Sequence, residues 1–248
     1  MINVPIYDDL WPGTRFLPAS AGFPLGTDSV LLSDFARGSG RIRRVADLGC
    51  GAGVLTVLLL QKFPASAAFG IEIQPEASDV CRENLKLNGL SDRAEIRCGD
   101  LRERGALPEA GSFDLIVSNP PYFAAGSGYT APEEHRAAAR DERFCTLHDV
   151  CRAAAYLCRW GGSFAVVHRP ERLSELLCAM TGCGLEPKRL RLVCRDAGCA
   201  PGLALVEGRR GGRPGLTIEP ALYLQNPDGT ESAEYQRIYH RDASSVPG

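Results

Sequence analysis

Ser118-Asn119-Pro120-Pro121-Tyr122 is the stretch of this chain best equipped for chemistry. The Asn119 side-chain oxygen and the Pro120 carbonyl are two acceptors on adjacent residues. Together they can hold both N–H bonds of a planar, conjugated amino or amide nitrogen. Such a nitrogen is a poor nucleophile because its lone pair is delocalised. Two acceptors draw it towards tetrahedral geometry and free the pair for attack. Consecutive prolines fix φ and bring no competing backbone donors. Tyr122 adds an aromatic face on which an extruded base can stack. Little acid–base chemistry has to precede attack, so positioning carries much of the rate. The same residues also suit a polyproline-like turn leaving a strand, and the surrounding elements must decide between the two.

A second stretch, Asp47-Leu48-Gly49-Cys50-Gly51-Ala52-Gly53, places three glycines where an apolar run gives way to a helical one. Glycine there lets the backbone turn tightly and approach a ligand. The spacing is G-x-G-x-G, not the G-x-G-x-x-G of a dinucleotide fingerprint. Alone it is a tight turn. Glu72, however, closes the next apolar run, at the distance where an acid accepts both hydroxyls of a ribose. Asp100, in Cys98-Gly99-Asp100-Leu101, closes the third and can accept from an adenine amino group. An isolated acid at a strand end is usually a helix cap or solvated. Three such features on three successive strand ends converge on one nucleoside-bearing ligand.

The elements that must position these groups alternate. Strands are expected at 44–48, 67–73, 94–98, 113–118 and 163–168. Helices are expected at 54–63, 75–88, 147–159 and 172–183, with a further one capped by Thr27 or Asp28. Short apolar runs alternating with helices imply an α/β fold, a mostly parallel sheet wound on both faces. Runs at 189–194, 203–207 and 216–224 lack long intervening helices and are expected to finish the sheet by antiparallel pairing. Residues 1–22, rich in Pro, Gly and aromatics, read as an irregular arm before a single domain of residues 23–248. Residues 123–143 form one long insertion after the Asn-Pro-Pro-Tyr motif, where ligands sit in such sheets.

Composition excludes more than it assigns. A 248-residue chain with 44% hydrophobic and 23% charged residues is an ordinary globular protein. Its longest apolar run is far too short to span a bilayer, and its first residues lack a signal peptide's basic and apolar regions. The expectation is a soluble, cytoplasmic protein. A formal net charge of −2 gives no global argument for nucleic acid. Basic residues do cluster locally, at Arg41, Arg43 and Arg44, at Lys188, Arg189 and Arg191, and at Arg209, Arg210 and Arg213. Solvated faces and an RNA footprint explain these equally well. The ten cysteines include no C-x-x-C pair and the four histidines are scattered, so no metal is expected. Cys98, Cys158 and Cys178 stand among apolar residues and read as small hydrophobes. Oligomeric state is left open.

The glycine loop resembles that of the class I, Rossmann-like methyltransferases. That resemblance implies S-adenosyl-L-methionine as cofactor and a seven-stranded sheet with one antiparallel late strand. By the same likeness Asp47, Gly49, Gly51 and Gly53 hold the methionine part, Glu72 the ribose, and Asp100 with the Leu101 amide the adenine. Asn-Pro-Pro-Tyr is similar to the motif of amino-methyltransferases acting on adenine, on guanine, or on the glutamine amide of peptide release factors. A narrower likeness rests on Phe23–Leu32, on Asn119-Pro120-Pro121-Tyr122-Phe123, on Ala139-Arg140-Asp141-Glu142 and Thr146-Leu147, and on the tail with Ala200-Pro201, Glu234-Tyr235 and Ile238-Tyr239. These resemble the tRNA1(Val) adenine N(6)-methyltransferase family, whose members methylate the adenosine at tRNA position 37. The resemblance makes Thr27 and Asp28 cofactor neighbours, Tyr122 and Phe123 substrate contacts, Arg140 an RNA or loop contact, and tRNA the partner. Residues 1–21 are shorter and richer in Pro and Gly than that family's pattern. A release-factor methyltransferase would be expected to carry an N-terminal helical domain, and a DNA methyltransferase a target-recognition region. A non-catalytic scaffold would have no use for paired acceptors at Asn119. An NAD-binding oxidoreductase is disfavoured by the glycine spacing.

Overall fold

The computed structural model describes residues 12–17, 26–120 and 145–240. After helix α1 (Thr27–Phe35), the apolar runs become the parallel strands β1 (Arg44–Leu48), β2 (Ala67–Glu72), β3 (Ala94–Cys98) and β4 (Phe113–Ser118). Helices α2 (Val54–Lys62) and α3 (Pro75–Leu87) return the chain between the first three. Then come α4 (Leu147–Leu157), β5 (Cys158–His168), α5 (Leu173–Gly182), β6 (Leu185–Cys194) and β7 (Pro201–Arg210). The sheet runs β3-β2-β1-β4-β5-β7-β6, with β7 antiparallel to both neighbours. This is the expected Rossmann-like sheet with one late strand reversed.

Alternation along each strand splits the core into two layers. Val45, Leu115 and Val117 face α1, α2 and α3 through Leu31, Leu58 and Leu85. Ala46, Leu48 and Ile116 face α4 and α5 through Val150, Leu157, Leu176 and Met180. The sequence of α2 explains its place: Val54 to Leu60 is buried throughout, so the helix lies inside the layer. At its end the Lys62 ammonium donates to the carbonyls of Ser33, Asp34 and Ala36, at 2.6, 2.7 and 2.8 Å. It thereby takes up carbonyls that the end of α1 leaves without intrahelical partners.

Several expectations are corrected. Residues 216–224 are not one antiparallel strand. They form two two-residue strands, β8 (Thr217–Ile218) and β9 (Leu222–Tyr223), both parallel to β6, which brings the sheet to nine. Pro220 falls between them and has no N–H for a ladder. The helix expected over 147–159 stops at Leu157, and the glycines expected to end it lie inside β5. Phe113 pairs with Cys158 but Leu115 with Ser163, so residues 159–162 bulge out opposite Asp114. A Cβ on Gly162 would stand 3.0 Å from the carbonyls of Arg159 and Asp114. A short helix α6 (Ala233–Ile238), capped by Ser232, was not anticipated. The N-cap of α1 is Gly26 in an extended conformation, with no side-chain cap bond, in place of Thr27 or Asp28.

Cys158 is buried as expected, but Cys98 and Cys178 are exposed. Cys98 sits on edge strand β3, and Cys178 points away from the Leu176–Met180 stripe that α5 buries. Residues 12–17 of the arm lie on α3: the Arg15 and Leu17 amides donate to the side chains of Asn88 and Asn84 at 2.9 and 2.8 Å, and Phe16 is fully buried. Among the described residues no helix is long and apolar enough to cross a membrane, and no cluster of three or more His, Cys, Asp or Glu could hold a metal ion.

Candidate active site at the switch point of the sheet

In the order β2-β1-β4-β5 the direction of winding reverses between β1 and β4. The crevice beyond the carboxyl ends of two such strands is the usual ligand site of doubly wound sheets. Register brings the sequence-predicted groups to that edge together. Asp47 pairs with Val117, which puts Gly49 beside Asn119, and Leu48 pairs with Ile71, which puts Glu72 beside Gly49. Glu72 pairs with Cys98, so Asp100 lies just past the same edge.

The turn after β1 is built around its glycines. Gly49, Gly51 and Gly53 have φ of 73°, 51° and 83°, which side chains with a Cβ rarely adopt. Their surroundings differ. A Cβ on Gly49 or Gly51 would have open space within 4 Å, whereas one on Gly53 would stand 2.5 Å from the Cys81 sulfur. The first two glycines therefore leave room over the loop, and the third lets α2 approach α3. The Gly49 and Cys50 amides both donate to the Ile71 carbonyl, at 2.9 and 3.1 Å. Glu72 is buried, and its two carboxylate oxygens accept from the amides of Gly51 and Gln74, both at 2.9 Å. Each oxygen retains a second lone pair for a ligand hydroxyl.

Asp47 lies beneath this turn, 1% exposed, and accepts from the Thr56 hydroxyl at 2.6 Å. Burial pushes its carboxyl up to about 7; the Thr56 bond opposes this and the nearby Glu72 adds to it. Asp100 is engaged by Arg102, whose amide and guanidinium donate to it at 2.5 to 3.0 Å. Those bonds hold its carboxyl below the usual range. Leu101 packs, partly buried, against the α4–α5 side of the core.

At the end of β4 the Ser118 hydroxyl donates to the Leu48 carbonyl at 2.8 Å, tying the two loops at their bases. The Asn119 amide nitrogen donates to the Ser29 hydroxyl of α1 at 3.1 Å, which turns the acceptor end of that amide away from α1. Pro120 follows, buried. Thr27 and Asp28 stand on the same first turn of α1 as Ser29. Pro121, Tyr122, Phe123 and Arg140 lie outside the described residues. Sequence reasoning missed Ser29, Ser118 and Thr56. Each acts through one hydroxyl bond, to a residue 90, 70 or 9 positions away; Ser29 and Ser118 stand inside the quoted motifs, and Thr56 in none.

Of the three basic clusters, the central one has both its arginines consumed internally, while Lys188 donates to the Arg213 carbonyl at 3.0 Å. Arg189 pairs with Glu207 and Glu219, and Arg191 with Glu234.

Residues 25–174 match the model of the methyltransferase small domain. A tRNA1(Val) (adenine(37)-N6)-methyltransferase of Porphyromonas gingivalis is 37% identical over 158 residues, and the chain spans 61% of that relative's length, with 61% of its own covered. An enzyme of the same name from Aeromonas hydrophila is 30% identical over 215 residues, 86% of this chain and 87% of the relative. Among solved structures, a predicted O-methyltransferase from Agrobacterium tumefaciens superposes with a TM-score of 0.69 at 22% identity, over 86% of this chain and 95% of that one. TrmN from Thermus thermophilus gives 0.53 at 19%, over 73% and 48%. These structural likenesses establish the fold. The chain belongs to the methyltransferase small domain family, on the branch of the tRNA1(Val) (adenine(37)-N6)-methyltransferases.

Proposed function

We propose that this protein transfers the methyl group of S-adenosyl-L-methionine to the N6 nitrogen of an adenosine in tRNA, at position 37 beside the anticodon. The observation that carries the reading is the meeting of two loops at the switch point: the glycine turn with Glu72 on one side and Asn119-Pro120 on the other. The open space over Gly49 and Gly51 fits a ligand laid against the turn. When bound, the cofactor supplies an electrophilic methyl on a sulfonium. Gly49, Gly51 and Gly53, supported by Asp47, would hold its methionine part, Glu72 its ribose, and Asp100 with the Leu101 amide its adenine. Thr27 and Asp28, on the first turn of α1, would border the same space.

On the acceptor side, the Asn119 side-chain oxygen and the Pro120 carbonyl would take the two N–H bonds of the target nitrogen. Pro121 would keep the turn extended through its fixed φ, and Tyr122 and Phe123 would stack on the extruded base, with Arg140 towards the RNA backbone. Positioning of this kind replaces the entropy loss of an encounter in solution. The names of the relatives from P. gingivalis and A. hydrophila support tRNA and adenine-37 as the target.

The test is to incubate the protein with labelled S-adenosylmethionine and, separately, unmodified bulk tRNA, release factor or duplex DNA. The products are then digested and the methylated unit identified. N6-methyladenosine from tRNA, mapped to position 37, is the expected product. Label in a glutamine side chain would overturn the substrate, and no label in any substrate despite cofactor binding would overturn the activity.

A further inference from the structure

The opposite edge of the sheet carries a groove that the proposed catalysis leaves unused. Its floor is α4. His148, Arg152 and Tyr156 follow one another at spacings of four and so form a single outward stripe on that helix, with Ala155 buried beside it. One wall is Arg104, Ala110 and Gly111; the other is the end of α5 with Arg210, and Trp160 closes the groove. The volume is about 640 Å³. Arg104 lies over the Tyr156 ring, 3.9 Å from its centre, and Arg210 donates to the Cys183 carbonyl at 2.5 Å. Among the described residues no carboxylate lines the groove, and none forms an ion pair with Arg104 or Arg210. Arg152 is exposed and shares its charge with Asp149 at 2.9 Å.

Among the described residues Trp160 is the largest apolar side chain left in solvent, 77% exposed. The β5 bulge throws it outward, and its ring lies on Gly211, where any Cβ would overlap it. Gly211 has a φ of 65°, so the turn that seats the ring is itself one that favours glycine. An aromatic ring fixed on one face and open on the other, at the end of a groove lined by arginines and a histidine, is the combination that binds single-stranded nucleic acid. The cations follow the backbone and the ring stacks a base. Arginine can also stack on a base through its guanidinium plane.

We propose that this groove is a second RNA-binding surface, which holds a part of the substrate tRNA other than the methylated nucleotide. Gly111, at the Trp160 end, donates to the Tyr156 carbonyl just before β4 begins, while Asn119 follows the far end of β4. The six residues of β4 therefore separate the two, about 20 Å at the rise of a strand. That is too far for one nucleotide, so the Trp160 end of the groove grips the same molecule at a distance and sets how the target loop is presented. The inference rests on tRNA being the substrate.

Steady-state kinetics with unmodified tRNA test it, on the wild type, Trp160→Ala, Trp160→Phe and the double variant Arg104→Glu, Arg152→Glu. Trp160→Ala and the double variant should each raise KM for tRNA about tenfold, while Trp160→Phe keeps most of the affinity. The double variant should also flatten the dependence of log KM on log salt by about one to two, as expected when phosphate contacts are removed. Maximal rate and S-adenosylmethionine affinity should stay within about twofold, which also reports an intact fold. Unchanged KM and salt dependence in variants of a wild type that methylates tRNA would overturn the groove and leave the substrate standing. A wild type that methylates no tRNA would overturn both.

Discussion

The two loops that meet at the switch point are built on opposite plans. The turn after β1 is held from within and beneath. Glu72 takes the Gly51 amide, Asp47 takes the Thr56 hydroxyl, and Gly53 is wedged against Cys81. The turn after β4 is held from outside: Ser118 hangs from the Leu48 carbonyl and Asn119 from Ser29 on α1. A turn with its own bonds keeps its shape whether or not a ligand is present. A side chain aimed by a neighbouring element keeps its aim only while that neighbour stays in place. Damage to the first loop should therefore appear as lost stability or cofactor affinity, and damage to the second as lost turnover.

The sharpest way to break this contrast is Asn119→Ala. It is expected to lower kcat by about two to three orders of magnitude, the range found when one preorganised hydrogen-bonding group is removed from a reacting centre. Titration calorimetry should find S-adenosylmethionine affinity little changed; a lost affinity would put Asn119 on the cofactor side instead. Gly53→Ala should act the other way. It forces a Cβ onto the Cys81 sulfur at a φ of 83°, at a cost of about 2–4 kcal/mol. Thermal denaturation would register that as a fall on the order of 5–10 °C in a chain of this size. Ser29→Ala removes the aim of Asn119 but not its oxygen, so kcat should fall only about tenfold. A loss equal to that of Asn119→Ala would give Ser29 a more direct part.

A different readout of the first loop is pH. Burial raises the Asp47 carboxyl from an ordinary value of 3.8 to about 7 in the folded state. The folded protein therefore binds more protons than the unfolded chain between those values, and stability declines as pH rises from about 4 to 7. Asp47→Asn keeps an acceptor for Thr56 and removes the titration. Its Tm should be flatter with pH across that window, and an unchanged slope would locate the titration elsewhere.

The sequence made the first half of the fold legible nearly to the residue, because each buried parallel strand there is a short apolar run bounded by turn residues. The second half misled through its glycines. Gly161 and Gly162 read as a helix stop, yet they serve a bulge. The close approach of the Arg159 and Asp114 carbonyls that demands a glycine at 162 comes partly from another strand. The split of residues 216–224 was hidden in the same way, since its pairing depends on β6 and only Pro220 hinted at it. At the site, residue types and order were legible because glycines, acids and the Asn-Pro pair are demanding chemistry. Their supports were not. A serine hydroxyl that reaches across ninety residues, as Ser29 does to Asn119, leaves no local pattern.

Lys62 bears on how the crevice can work. Its ammonium joins the far end of α2, whose near end starts at the glycine turn, to the far end of α1, whose first turn carries Ser29. The two helices that flank the crevice are thus riveted together at their tails, so neither jaw can swing open independently of the other. What enters between them meets two walls that move together.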